Sequence, residues 1–132
     1  MSSRLQGFTL VELMCVLAIV AILSSFALPS YQQSQQRSQR TLAKLTLVKT
    51  AHWLERQANM LGSYPSYLPD AVWQTPELRY RLALQSGENA YVLTALPVGA
   101  QTADACGSLT LNSSGERGVQ NANLMANQCW GR

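Results

Sequence analysis

The sequence has a single histidine, no Cys-x-x-Cys pair, no run of acidic side chains and no internal repeat. Each absence removes a class of function. His52 has no metal-ligating companion, so a transition-metal centre lacks its ligand set. A nucleophile activated by His52 would need an oxyanion loop, and no motif supplies one; beside Trp53 in a helical stretch, His52 reads as a surface residue. The acids Asp70, Glu88, Asp104 and Glu116 are scattered without the clustering of a calcium site. The expectation is a protein that is not an enzyme, with no cofactor and no metal.

Charge is scarce in one place above all. Charged residues make up 13% of the 132 residues, and from Phe8 to Gln36 the only one is Glu12. Leu13 to Leu28 is apolar apart from Ser24 and Ser25. From Phe8 to Leu28 the run is about 30 Å long at ~1.5 Å per residue of helix, which matches a bilayer core. A removable secretory signal is the first alternative, and Ser25, Phe26 and Ala27 form a loose small-x-small cleavage site. Against it stand a start with Arg4 as its only basic residue and an acid at the entry to the apolar core. A buried core helix is the second, but the rest of so short a chain is too small to wrap one. The reading is a membrane helix with Arg4 on the cytoplasmic side. Within it, Glu12 is the anomaly. A central acidic residue costs about 2.5–3.5 kcal/mol on insertion scales, less near the surface, and the run holds no charge to pair with it.

Beyond Pro29 the composition is of another kind. Residues 30–61 are rich in Gln, Arg and Lys, with no Pro or Gly, and read as one long helix. Its apolar stripe is Leu47, Ala51, Leu54, Ala58 and Leu61, and its polar face carries Arg37, Arg40, Lys44, Lys49 and Arg56. Gln32 to Gln39 reads as the solvated stretch between membrane and head. Pro29, where the apolar and amphipathic halves meet, predicts a kink at the membrane surface. Gly62 and Ser63 stop the helix, and the proline-rich YPSYLPDAVWQTP is a connecting loop. Strand character appears in RYRLALQ, AYVLTALPV and GSLTLNS, with Ser86–Asn89 a hairpin turn and SSGERG another turn. The fold class is α+β, a long kinked N-terminal helix packed on three or four antiparallel strands, because neither part buries its apolar face alone. The chain divides into a leader, 1–7; a transmembrane helix, 8–29; and a head, 30–132. Trp53, Trp73 and Trp130 read as packing residues.

Cys15 lies in the apolar run and reads as a small apolar side chain. Cys106 and Cys129 lie outside it, and an even pair beyond the membrane suggests one disulfide in an oxidising compartment, with two buried thiols as the alternative.

The run Gly7, Phe8, Thr9, Leu10, Val11, Glu12, followed by a hydrophobic helix with Pro29, resembles the N-terminal signature of type IV pilins and pseudopilins. The resemblance implies that a prepilin peptidase cuts between Gly7 and Phe8 and methylates the new amine of Phe8. It implies that Glu12 acts in assembly, meeting the amine of another subunit in the filament core. Two buried charges are tolerated when paired, and removing one costs about 3–5 kcal/mol. Ala103–Asn112 with Gly115, Cys129 and Trp130 is similar to the C-terminal part of small minor pilins, some linked to competence, whose Cys pair closes a loop capping the sheet.

The implied function is a minor pilin subunit, anchored in the inner membrane by a single pass and then built into an extracellular fibre that supports pilus assembly, twitching motility or adhesion. Its partners would be the peptidase, other pilin subunits and the assembly platform. DNA binding in competence is a second reading: Arg79, Arg81 and Arg117 could form a basic patch if their strands are neighbours, with Tyr80 or Trp130 stacking on bases. The net charge of +3 is a modest bias toward it, and a solvated charged face is the plainer reading. A type II secretion pseudopilin shares the N-terminus, but the scattered acids and the terminal Cys pair favour the pilus side.

Overall fold

The computed structural model describes residues 7–69 and 79–131. The leader before Gly7, with Arg4, and the second part of the proline-rich segment, with Asp70 and Trp73, lie outside the described residues.

Helix α1 runs Leu10–Leu61, 52 residues, with Pro29 inside it. The absence of glycine between Phe8 and Leu61 permits that length. Gly62, at φ +79°, ends it, and its N–H still reaches the Ala58 carbonyl at 2.8 Å. By internal packing the chain divides at Gln35–Gln36.

In the first unit every described residue up to Ser34 is exposed. Ser24 and Ser25, within the apolar run, do not strand polar groups: Ser24 Oγ donates to the Val20 carbonyl at 2.7 Å and Ser25 Oγ to the Ile22 carbonyl at 2.6 Å. It is long and apolar enough to cross a membrane.

In the second unit the rest of α1 lies against a four-stranded antiparallel sheet of order β1-β2-β3-β4, formed by β1 (Tyr80–Ser86), β2 (Tyr91–Pro97), β3 (Ser108–Asn112) and β4 (Arg117–Gln120). The registers Leu82↔Ala95↔Leu109↔Val119 and Leu84↔Leu93↔Leu111↔Arg117 lay one face of the sheet toward the helix. Leu47, Leu54, Leu93 and Leu109 are fully buried at its centre. Arg81, Ala83 and Thr94 lie on the opposite face, as strand alternation requires.

The buried stripe of α1 differs from the expected one. It is Gln39, Ala43, Leu47, Thr50 and Leu54, while Ala51 and Ala58 are half-buried and Leu61 is 66% exposed. The contact therefore begins two turns earlier, and it includes two polar residues because each finds a backbone partner. Gln39 Oε1 accepts the Arg79 N–H at 3.0 Å, and Thr50 Oγ1 donates to the Thr46 carbonyl at 2.8 Å. The turn expected over SSGERG is also shorter. It closes by Glu116, and Arg117 already opens β4, a strand whose sequence RGVQ has one apolar residue to signal it.

The β2–β3 connection carries a 3-10 turn, Gly99–Ala103, and a buried polar cluster. Asp104 takes Arg40 Nε at 2.8 Å and Nη2 at 2.9 Å, a bidentate pair, together with the Tyr80 hydroxyl at 3.3 Å and Gln101 Nε2 at 3.1 Å. Gln101 Nε2 also donates to the Tyr80 hydroxyl at 3.0 Å and the Gln36 carbonyl at 3.1 Å. The connection is thereby bolted to α1. Gly107 comes next, at φ +53°, where a Cβ would strike the Gln120 and Asn121 backbone. The chain closes with a short helix α2 (Ala126–Trp130) and a disulfide between Cys106 and Cys129.

Candidate functional site: the first turn of α1 and the surface of the head

Thr9 and Glu12 organise the start of α1. The Glu12 N–H donates to Thr9 Oγ1 at 3.2 Å, while the Thr9 N–H and the Thr9 hydroxyl donate to Glu12 Oε2 at 3.4 and 3.5 Å. Thr9 is thus the N-cap and Glu12 the third helical residue, a reciprocal capping box that satisfies two of the N–H groups a helix start leaves open. Glu12 therefore has a neutral partner in its own chain, and still no charge in the run to pair with it. The signal was legible as Thr-x-x-Glu, with Phe8 before the cap and Leu13 at the staple position. Gly7 and Phe8 precede the helix; Phe8 is 81% exposed, and a Cβ on Gly7 would meet nothing within 4 Å. Cys15, one turn on, is an exposed free thiol.

The three arginines of the expected basic patch are not brought together. Arg79 and Arg81 lie on β1 or just before it, at one edge of the sheet, and Arg117 on β4, at the other. Three strand spacings, about 14 Å, separate those edges. The faces differ as well: Arg81 is paired with half-exposed Leu96, whereas Arg117 is paired with buried Leu111 on the helix side. The condition that their strands be neighbours fails.

Arg117 has other company. Its guanidinium lies 5.4 Å from the centre of the Trp130 ring, and Trp130 Nε1 donates to the Gly118 carbonyl at 2.9 Å. Trp130 is held from both sides and packs; Trp53 packs against the core as well. Lys44 lies close to Arg117 and Arg40: partial burial, then the charge of Arg40, then that of Arg117, push its ammonium below the ordinary lysine range. Asp104 neutralises Arg40, but no carboxylate pairs with Lys44 or Arg117 among the described residues. The local sequence did not reveal Asp104 as a partner, because Arg40 lies 64 residues away.

Further along α1, Glu55 accepts the Tyr64 hydroxyl at 3.1 Å, and Tyr64 meets Tyr91 edge to face at 4.9 Å. Burial, then Glu55, push Tyr91 up to about 12, and burial does the same for Tyr80. His52 is exposed there and lines an open groove with Glu55, Tyr91 and Ser113–Gly115.

The comparisons with known proteins fit this geometry. Residues 2–28 match the prokaryotic N-terminal methylation motif. Residues 29–110, more than half of the chain, match the family described as type IV minor pilin ComP, DNA uptake sequence receptor. The chain belongs to the type IV pilin family. This pilin is 31% identical to the fimbrial protein EcpC of Eikenella corrodens over 121 residues, 90% of the chain and 71% of that protein. It is 46% identical to a fimbrial protein of Pseudomonas aeruginosa over 48 residues, 35% of the chain, and spans 31% of that relative's length. A type IV pilin from Shewanella oneidensis superposes with a TM-score of 0.58 at 27% identity, covering 74% of this pilin and 99% of that chain. As a pilin it is a structural subunit and not an enzyme. Its exposed apolar helix and its family fit membrane anchoring before assembly into an extracellular pilus.

Proposed function

We propose that this pilin is a minor filament subunit, cut between Gly7 and Phe8 by a prepilin peptidase, methylated at Phe8, held in the inner membrane by a single pass and then packed into a fibre through residues 8–29. The observation that carries the reading is the exposed apolar surface of the first unit, with Leu10, Val11, Leu17, Leu23 and Phe26 each more than half exposed. So much apolar surface is stable in lipid or against other helices, and not in water. Glu12, the charge in that surface, takes the amine of a neighbouring subunit. Pro29 leaves the Ser25 carbonyl without its helical N–H partner, which makes it the place for α1 to bend. In the fibre the subunit serves pilus assembly, twitching motility or adhesion.

The test is Glu12→Gln, which keeps the capping box but removes the charge. The expected result is normal cleavage with the chain retained in the membrane and lost from sheared filaments. Wild-type recovery of the variant in filaments contradicts the assembly role.

DNA reception is the second reading, supported by the description of the family that residues 29–110 match. Lys44 on α1 and Arg117 at the β4 edge are its phosphate contacts, since the segment from Arg117 to Gly131 contains no acid to repel a duplex. Arg79 and Arg81, at the other edge, are tested separately. In titrations of a DNA duplex at several salt concentrations, replacing both Lys44 and Arg117 by Gln should weaken binding and flatten the slope of log K against log salt by about two. An unchanged slope removes the β4 edge from the interface.

A further inference from the structure

The turn between β3 and β4 spends its hydrogen-bond donors on itself. The Ser113 N–H donates to the Tyr91 carbonyl and the Gly115 N–H to the Asn112 carbonyl, each at 3.0 Å. Asn112 Oδ1 takes the Ser114 and Glu116 N–H groups at 3.1 and 2.9 Å, and Asn112 Nδ2 donates to Glu116 Oε2 at 3.0 Å. The Ser113 and Ser114 carbonyls accept nothing among the described residues. This turn lines one side of the open groove, about 350 Å³ in volume, that α1 lines on the other with His52 and Glu55; buried Leu111 and Tyr91 lie between them. Glu55 is half-buried, and its bond comes from the neutral Tyr64 hydroxyl. Among the described residues the one ion pair is Arg40 with Asp104, so Glu55 has no cationic partner.

A groove rich in acceptors, with one unpaired carboxylate, selects its occupant by charge. An anion is repelled by Glu55. A neutral polyol needs donors as well as acceptors, and finds only rotatable hydroxyls and an imidazole. A guanidinium brings five N–H donors in a planar fork and no acceptor, which complements this lining. We propose that the groove receives the guanidinium of an arginine side chain from a partner protein, with Glu55 as its counter-charge and the Ser113 and Ser114 carbonyls as further acceptors. A carboxylate has about four lone-pair sites, so the Tyr64 hydroxyl leaves Glu55 free to accept a bidentate pair of N–H groups. The groove is open to solvent, so the side chain enters while its backbone stays outside. The net charge of the whole chain is +3, so general attraction does not draw a cationic segment to this protein, and the local acceptors must.

The experiment is an NMR titration of the full-length chain in a non-ionic polyoxyethylene detergent. The probe is a blocked pentapeptide with one arginine among glycines, compared with the same peptide carrying citrulline, its neutral isostere. The expected result is saturable shifts at Tyr91, Ser113 and Ser114 with the arginine peptide, and affinity about tenfold lower for the citrulline peptide. Glu55→Gln keeps the side-chain shape and an oxygen for Tyr64, and should cost the arginine peptide the same factor. Ser114→Trp, at an exposed position whose backbone bond is kept, should block the groove and abolish the shifts. Equal affinity for the two peptides, unchanged affinity in Glu55→Gln, or no saturable shift at all overturns the proposal. Shifts that spread over the head and survive Ser114→Trp overturn it as well, as does saturation of the groove by methyl glucoside and not by the peptide. Should either variant fail to fold, the arginine and citrulline comparison on the wild-type chain decides alone.

Discussion

Asp104 has 2% of its side chain exposed, and it survives there because Arg40, Tyr80 and Gln101 supply it with donors. Removing one member of a buried pair leaves the other charge without a partner, so Asp104→Leu should destabilise the head by about 3–5 kcal/mol. Adding Arg40→Met should recover part of that loss, measured by urea denaturation of the full chain in detergent with tryptophan fluorescence as the probe. A double variant no better than the single would show that the pair is valued for geometry and not for mutual neutralisation. Gly107 makes a second prediction at the same scale. At φ +53° and against the Gln120 and Asn121 backbone it has no room for a side chain, whereas Gly115, at φ +79°, has open space around it. Gly107→Ala should therefore cost clearly more than Gly115→Ala, whose penalty is that of the left-handed backbone alone, about 1 kcal/mol, in the same denaturation assay.

The elements were largely legible, and their boundaries were where the reading failed. The freedom of α1 from glycine, the alternation in YRLALQ and YVLTALP, and the SGEN turn between them all carry local signals that tertiary structure obeys. Gln39 and Thr50 broke the expected stripe because burial of a polar side chain depends on a distant or backbone partner that no periodicity records. The fourth strand was hidden because Gly118 lies across from Thr110, where contact with the Thr110 side chain takes the place of a side chain of its own. The strands also set a pH limit. Tyr80 on β1 and Tyr91 on β2 are each raised from 10 to about 12, chiefly by burial. A raised folded value means that the folded head holds its protons longer than the unfolded chain, so their contribution is intact below pH 10 and is lost as pH rises from 10 to about 12. Tyr80→Phe and Tyr91→Phe should each flatten that alkaline decline, followed by circular dichroism across the window.

In the whole molecule, the N-terminal segment announces its chemistry locally, and the head does not. Gly7–Glu12 is a contiguous motif, so its resemblance to a processing signal, and its capping box, both lie in six consecutive residues. The cationic cluster of Lys44 and Arg117 joins residues far apart in sequence, and strand order and sheet face together separate it from Arg79 and Arg81. In the proposed function one short stretch, Gly7–Glu12, serves first as a cutting site and then as an assembly contact. The most direct measurement is mass spectrometry of the N-terminal peptide of this pilin recovered from sheared, affinity-purified filaments. The account predicts a peptide that begins at methylated Phe8; an intact chain starting at Met1, found only in the membrane fraction, would contradict it.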